Sequence, residues 1–202
     1  MKLTKGGYDI LRKDFGVLRQ TQVEGLEFIV AVMHEDRSLT YAQAAYILAT
    51  TWHETAHTMQ PIAEYGKGKG RVYGTWYVNS KGEKFSYTSD GKHTAYLERE
   101  HPFLYYGRGY VQLTWLANYA KAGDKLGIDF VANPDLVMQP QYAVKILIEG
   151  MKKGWFTGRK LSDYIYQSKK DYVNARRIIN GTDKASLIAR YAGIFERALR
   201  SL

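Results

Sequence analysis

The chain has 202 residues, of which 45% are hydrophobic and four are proline, so it is long enough to bury one sizeable core. It contains no cysteine, which excludes a disulfide framework and zinc sites built on thiolates. The net charge of +9 favours association with polyanions such as nucleic acid, anionic lipid or bacterial wall polymers. Because no RNP, KH or zinc-finger pattern occurs, we expect no nucleic-acid partner.

The first helical patterns place a carboxylate at a helix end. Residues 23–33 predict a helix whose apolar run is interrupted by Glu27 and is followed by no small-residue cleavage site, so we expect neither a signal peptide nor a membrane span. Thr40 is the expected N-cap of a second helix, residues 41–57, with a wide buried stripe. Glu54 lies near its C-terminal end, where the helix dipole disfavours a negative charge, and this setting suits a general acid.

A second carboxylate follows a chain break. Pro61 cannot continue a helix, so the helix is predicted to end before it. In an uninterrupted helix Glu64 would lie roughly 15 Å beyond Glu54 along the axis. A turn at Pro61 allows the two carboxyls to approach, and inverting glycosidases hold theirs about 6.5–9.5 Å apart. Glu64 is therefore the candidate base. The alternatives for the base are Glu83, Glu98 and Glu100.

The middle of the chain differs in composition from the rest. In residues 66–101 glycines alternate with aromatics and lysines, and residues 72–78 and 84–88 predict short strands of a small β-hairpin lobe. Helical patterns then recur at residues 111–126, 139–153, 159–168, 171–179 and 184–200. The predicted fold class is mainly α, an α+β arrangement of one helical domain with a small β lobe. We expect a single catalytic domain over residues 1–202, without a separate wall-binding domain.

The segment from Tyr106 to Thr114 predicts a ligand-binding turn. Two glycines flank Arg108, which lets backbone pass close to a ligand. Gln112 and Thr114 then alternate with apolar residues, so their amide and hydroxyl groups point to one side. An ordinary turn leading into a half-buried element is the alternative. Arg108 either contacts the substrate or fixes its own turn through carbonyl oxygens.

One motif favours a different chemistry. His53-Glu54-Thr55-Ala56-His57 fits H-E-x-x-H, in which two histidines on one helix face hold zinc and the glutamate is the general base. The longer extension of the metzincins is absent. The motif nevertheless makes a zinc peptidase the rival hypothesis. The alternative interpretation of both histidines is polar packing beside the carboxylate.

Five short blocks lie in a fixed order along residues 41–200. They are His53-Glu54-Thr55; Tyr105-Tyr106-Gly107-Arg108-Gly109 with Gln112-Leu113-Thr114; Asn118-Tyr119; Leu126-Gly127-Ile128-Asp129 with Asn133-Pro134-Asp135-Leu136-Val137; and Ile178-Ile179-Asn180-Gly181. In order and spacing these blocks resemble glycoside hydrolase family 19, which comprises chitinases and a set of bacteriophage endolysins. The lack of cysteine makes the chain more similar to the endolysins than to the plant chitinases.

The resemblance implies a lysozyme-like, mainly helical fold and metal-independent hydrolysis without a cofactor. By that match Glu54 is the general acid, Glu64 the base of an inverting reaction, and Thr114 the residue that holds the attacking water. Gln112 and Asn118 would bind N-acetyl groups or hydroxyls, and Asn180 and Arg190 would line the cleft. The full set of substrate-binding candidates is His53, Arg108, Gln112, Asn118, Asn180 and Arg190.

The resemblance to endolysins also implies a biological setting. The substrate would be the glycan strands of peptidoglycan, and the enzyme would act as a monomer that lyses the host cell. It would be made in the host cytoplasm and reach the periplasm or cell wall after passing the membrane, through a holin. The alternatives are a chitinase of the same family, the zinc peptidase, and an inactive wall-binding module.

The C-terminal stretch, residues 185–202, combines an apolar face with arginines. We interpret the apolar face as packing on the domain core. Contact with an anionic membrane or with lipopolysaccharide is the alternative interpretation.

Overall fold

The computed structural model describes residues 1–88 and 95–201. Residues 89–94, which include Gly91 of the predicted β lobe, lie outside the described residues. The chain divides into two compact units, one formed by Met1–Gln60 with Val144–Leu202 and the other by Pro61–Ala143. The expectation of a single catalytic domain stays a prediction.

The first unit is helical. Its elements are α1 (Lys5–Phe15), α2 (Gln20–Glu35), α3 (Tyr41–Glu54), most of α5 (Pro140–Lys153), α6 (Leu161–Tyr164), a hairpin of β6 (Ile165–Tyr166) with β7 (Lys169–Lys170), a 3₁₀ turn (Asn174–Ile178) and α7 (Ala185–Arg200). With the helix Leu116–Leu126 of the second unit, these helices confirm the mainly α fold class. No helix in the described part of the chain is long and apolar enough to cross a membrane.

Helix α3 forms the centre of the first unit. Thr40 caps it as predicted, because its hydroxyl accepts a hydrogen bond from the Gln43 amide while the Gln43 side chain accepts one from the Thr40 amide. Residues 42–52 are all buried, and α7 packs against both α3 and α1. The predicted apolar face of α7 is buried in this packing, so the interpretation as a core helix is confirmed.

The second unit is built from loops, short strands and one helix. Strand β1 (Ile62–Ala63) pairs antiparallel with β5 (Arg108–Gly109). A separate antiparallel sheet has the order β2 (Tyr77–Val78), β3 (Lys84–Tyr87) and β4 (Ala95–Leu97), which confirms strands in the predicted lobe. Helix α4 spans Leu116–Leu126 and ends at Gly127, whose left-handed backbone caps it.

Helix α1 has no counterpart among the predicted elements. Five predictions of elements are wrong. The helix predicted to residue 57 ends at Glu54, because Ala56 and His57 take positive φ angles. In the strand predicted over residues 72–78, Val72–Gly74 form a 3₁₀ turn and only Tyr77–Val78 form a strand. The helix predicted from residue 111 begins only at Leu116, since Gln112 and Trp115 also have positive φ. The segments 159–168 and 171–179 contain only the single-turn α6, the β6–β7 hairpin and a 3₁₀ turn.

Candidate active site

Glu54 is the last residue of α3 and lies in a half-buried position. Its carboxylate accepts a hydrogen bond from the Arg176 guanidinium, with 2.5 Å between Oε1 and Nη1. The C-terminal end of a helix disfavours a carboxylate, whereas a guanidinium attracts one. The helix end and the guanidinium therefore have opposite effects on the negative charge of Glu54. The sequence indicated only the effect of the helix end.

Arg176 is the residue that sequence reasoning missed. Its side chain is 4% exposed, and its Nε donates to the carbonyl oxygen of Asp183 at 3.1 Å. The 3₁₀ turn that carries it is anchored by buried Ala175 and Ile178. A buried arginine needs a partner for its charge. No local signal singles it out, because Arg177 also lies between Ala175 and Ile178 and is exposed.

Two hydroxyls lie beneath Glu54 on the same face of α3. Tyr46 and Thr50 precede it by eight and four residues, and both are buried. Within the described part of the chain, neither hydroxyl has a hydrogen-bond partner. Burial raises the pKa of Tyr46, so this phenol stays neutral. Below the ion pair, the face of α3 therefore carries two neutral hydroxyl groups and no second charge.

The two histidines do not form the pair that the zinc motif requires. His53 is on α3, but the helix ends at Glu54 and His57 has a φ of 67°, so the two rings do not share one helix face. The His57 ring stacks on Trp52, with 4.8 Å between centroids. Among the described residues no three histidines or carboxylates are placed to hold a metal ion. The structure therefore does not support the zinc peptidase hypothesis, which requires both histidines on one helix face.

His53 is half-buried beside the carboxylate. Burial lowers its pKa, the charge of Arg176 acts in the same direction, and the charge of Glu54 opposes them. The imidazole is therefore neutral at neutral pH. It offers a hydrogen-bonding group next to Glu54 without adding a second positive charge.

Glu64 follows strand β1 in the second unit and is fixed by two donors. The Tyr73 hydroxyl donates to Oε1 at 2.8 Å, and the Gly107 amide donates to Oε2 at 3.1 Å. The Glu64 amide in turn donates to the Gly107 carbonyl at 2.7 Å. Burial and the bond to Glu64 raise the pKa of Tyr73 to about 12, so the phenol remains a donor. The carboxylate of Glu64 is thus fixed by hydrogen bonds to both of its oxygens and is not a freely solvated loop side chain.

The three alternative bases lie in or beside the small sheet and are paired there. Arg99 forms ion pairs with Glu83 and Glu100, and Lys84 pairs with Glu98 at 3.4 Å. Ion pairs near the surface contribute little to stability and do not by themselves indicate a catalytic role. None of the three carboxylates accepts bonds from the turn at Gly107, whereas Glu64 does. The geometry favours Glu64.

Arg108 lies beneath the glycine-flanked turn. It is 4% exposed, and its guanidinium donates to the Leu104 carbonyl, to the Tyr119 hydroxyl and to Asp135. It also lies over the Tyr106 ring at 3.6 Å from the centroid. These contacts favour the loop-fixing role over direct contact with a substrate.

A polar ladder is formed by the side chains of Gln112, Thr114 and Asn118. Each of these side chains donates a hydrogen bond to a backbone carbonyl oxygen. The Gln112 amide donates to Ile62, the Thr114 hydroxyl to Gln112, and the Asn118 amide to Thr114, at 2.8–2.9 Å. All three side chains are half-buried. Each side-chain oxygen keeps a lone pair for a ligand, and Asn118 also keeps one amide hydrogen that no described residue accepts. The ladder therefore fits ligand groups that donate hydrogen bonds, with one further donor at Asn118.

The remaining candidates are exposed residues of the first unit. Asn180 follows the turn that carries Arg176, and its side-chain oxygen accepts from the Gly181 amide at 2.8 Å. Arg190 is on α7, with its guanidinium 5.7 Å from the centre of the Tyr191 ring. Neither contacts Glu54 through a hydrogen bond among the described residues. Their roles in substrate binding stay predictions.

Comparisons with known proteins identify the family and the fold. The sequence profile of the family described as chitinase class I, glycoside hydrolase family 19, matches residues 28–157, which contain Glu54, Glu64 and Thr114. Chitinase C from Streptomyces griseus HUT6037 has the same fold, with a TM-score of 0.53 and 22% identity over 98% of this chain and 70% of that chain.

Two curated plant proteins match a short stretch. Chitinase 8 of Oryza sativa subsp. japonica is 64% identical over 33 residues, 16% of this chain and 13% of the relative. Inactive chitinase-like protein 1 of Hevea brasiliensis is 58% identical over 33 residues, 16% of this chain and 10% of the relative. The matched stretch is thus a small part of each relative. Because the family profile covers most of the chain, the chain belongs to glycoside hydrolase family 19, the chitinase class I family.

Proposed function

We propose that the protein hydrolyses glycosidic bonds in the glycan strands of bacterial peptidoglycan, with Glu54 as general acid and Glu64 as general base. The observation that carries this proposal is that each of the two carboxylates is held by its own partners. Glu54 is paired with a buried guanidinium, and Glu64 accepts bonds from a hydroxyl and a backbone amide. Catalytic groups need such supporting partners to keep their geometry.

In the proposed reaction, Glu54 takes up a proton before the step and gives it to the glycosidic oxygen as the bond from that oxygen to the anomeric carbon breaks. Glu64 takes a proton from a water whose oxygen bonds to the anomeric carbon from the opposite face. Glu54 is left as an anion, and the guanidinium of Arg176 stabilises that anion. Arg176 therefore acts as a positioning residue for the acid.

Thr114 has the chemistry to hold the attacking water. Its hydroxyl hydrogen is donated to the Gln112 carbonyl, so its oxygen is an acceptor. A water that donates one hydrogen to Thr114 and the other to Glu64 keeps its lone pair for the anomeric carbon. The oxygens of Gln112 and Asn118 would accept from amide or hydroxyl groups of the sugars.

Peptidoglycan is proposed as substrate because the chain has no cysteine and a net charge of +9, which suit an anionic wall and not a secreted disulfide-bonded chitinase. In this proposal the protein is a phage endolysin that acts as a monomer in the periplasm or cell wall, after crossing the membrane with a holin, and lyses the host. Chitin hydrolysis is the second candidate, since named chitinases are among the similar proteins.

Product analysis tests the proposal. Purified peptidoglycan and chitin oligosaccharides are digested in the presence of EDTA, reduced with borohydride and analysed by mass spectrometry. Reduced muramic acid or glucosamine ends from peptidoglycan support the proposal and identify the bond. Products from chitin alone would favour the second candidate. Free peptide ends would contradict both, and no turnover of either substrate would leave an inactive wall-binding module.

A further inference from the structure

A basic loop follows the candidate base directly. Residues 65–71, here called the basic loop, carry Lys67, Lys69 and Arg71, all exposed and separated by glycines. Tyr65 at its start is 82% exposed. In the ranges 1–88 and 95–201, none of the three cations forms an ion pair with a carboxylate. The loop therefore presents three positive charges that have no ion-pair partner among the described residues, beside an aromatic ring.

The basic loop is folded and not merely extended. Successive backbone bonds of 2.9 Å join Lys67 to Glu64, Lys69 to Gly66 and Arg71 to Gly68. The backbone then passes so close to itself that a Cβ on Gly74 would lie 2.0 Å from the Gly68 oxygen. Such a close approach permits only glycine. The cations are consequently held on a preorganised turn series.

The basic loop is tied to the base at both ends. It begins at the residue after Glu64, and its first turn is closed by the Glu64 carbonyl. Two residues beyond its end, Tyr73 donates its hydroxyl to the Glu64 carboxylate. Tyr73 also contacts Trp115, with ring centroids 5.0 Å apart. A ligand group bound by the loop would therefore lie next to the position where Glu64 activates water.

We propose that the basic loop binds the free carboxylates of the peptide stems that peptidoglycan glycans carry, and so selects a peptide-bearing glycan over neutral chitin. This inference rests on the proposed function and deepens it. Exposed charges at the rim of a site contribute to specificity and association more than to raw affinity. The exposed ring of Tyr65 offers a flat apolar face to the sugar or peptide beside those carboxylates.

The test measures binding without cleavage. All proteins carry Glu54→Gln, and they are co-sedimented with insoluble peptidoglycan from which phosphate polymers have been removed, either native or with its carboxylates amidated. The loop variant is Lys67→Gln/Lys69→Gln/Arg71→Gln. The matched control is Lys13→Gln/Lys125→Gln/Lys145→Gln, which removes the same charge from exposed helical positions. Untreated wall that retains phosphate polymers forms a third arm.

We expect the loop variant to bind native peptidoglycan about tenfold more weakly than its parent, to bind amidated peptidoglycan equally, and to lose more than the control variant. Equal losses in the loop and control variants would overturn the inference, since net charge alone would explain them. A loss confined to wall with phosphate polymers would also overturn it. Because binding is measured with an inactive protein, a failure of the wild type to turn over glycan would refute the proposed function separately.

Discussion

The two candidate carboxylates are held by different kinds of structure. Glu54 ends a buried helix and depends on a side chain 122 residues away, the guanidinium of Arg176. Glu64 sits between short strands and loops and depends on the neighbouring Tyr73 and on the backbone of Gly107. A charged side-chain partner can be removed by one substitution, whereas a backbone donor cannot. The two sites should therefore respond unequally to loss of a partner.

The largest effect should come from the carboxylates themselves. Glu54→Gln and Glu64→Gln should each lower kcat by about 10²–10⁴-fold, because each removes a proton-transfer group without changing side-chain shape. Glu98→Gln, which removes a carboxylate paired with Lys84, is the matched control and should keep the wild-type rate. Rates come from peptidoglycan digestion. A Glu98→Gln loss as large as that of Glu64→Gln would move the base role to the small sheet.

Removal of the guanidinium partner should have the next largest effect. Arg176→Gln should lower kcat by about 10–100-fold, since the anion left on Glu54 loses its stabilising charge. It should also lower the free energy of unfolding by about 1–3 kcal/mol, because Glu54 loses its partner. Arg176→Lys should restore part of the rate.

Arg177→Gln, at the exposed neighbouring position, is the control for Arg176→Gln and should be silent in both measurements. Wild-type kcat in Arg176→Gln, with the stability loss still present, would assign Arg176 a purely structural role.

Removal of the hydroxyl partner should matter less. Tyr73→Phe should lower kcat by about three- to tenfold, because the Gly107 amide still holds the other oxygen of Glu64. Tyr77→Phe removes a hydroxyl from the adjacent sheet and serves as the comparison. A Tyr73→Phe loss as large as that of Glu64→Gln would show that the backbone donor does not hold the base by itself.

The smallest expected effect is on the pH dependence of stability. Burial lowers the pKa of His53 in the folded protein. Below the usual histidine pKa of about 6.5, the unfolded chain therefore binds more protons at this residue than the folded protein does. The stability contribution of neutral His53 is therefore complete at neutral pH and is lost as the pH falls below about 6.5. Thermal unfolding between pH 7.5 and pH 5, taken here as roughly the span of the histidine transition, should show a decreasing Tm.

His53→Gln should flatten that decrease in part, because burial also lowers the pKa of His57. An unchanged slope in His53→Gln would contradict the assignment.

Local signals in the sequence predicted the existence and the start of α3, although not its end at Glu54. Its apolar spacing and the Thr40 cap lie within one segment, so no distant residue is needed to read them. Arg176 could not be predicted in the same way, since its pairing with Glu54 depends on how α3 and the 3₁₀ turn pack. Sequence spacing over such a distance carries no information about contact.

The turn before α4 shows a second limit. The composition of residues 111–115 is compatible with a helix, but Gln112 and Trp115 have positive φ angles. Positive φ is uncommon for residues other than glycine, so it could not be predicted from these residue types. The same backbone places the polar ladder of Gln112, Thr114 and Asn118. The prediction of a ligand-facing alternation and the prediction of a helix were thus in conflict, and strained backbone decided between them.

The most direct test of the acid and base assignment is the stereochemistry of the first product. Soluble β-linked peptidoglycan fragments are digested in an NMR tube, and the anomeric proton of the new reducing end is recorded before mutarotation. We expect the α-anomer to form first, because Glu64 directs water to the face opposite the leaving oxygen. The β-anomer as the first product would exclude Glu64 as the base of an inverting reaction, since retention requires a nucleophile at that place.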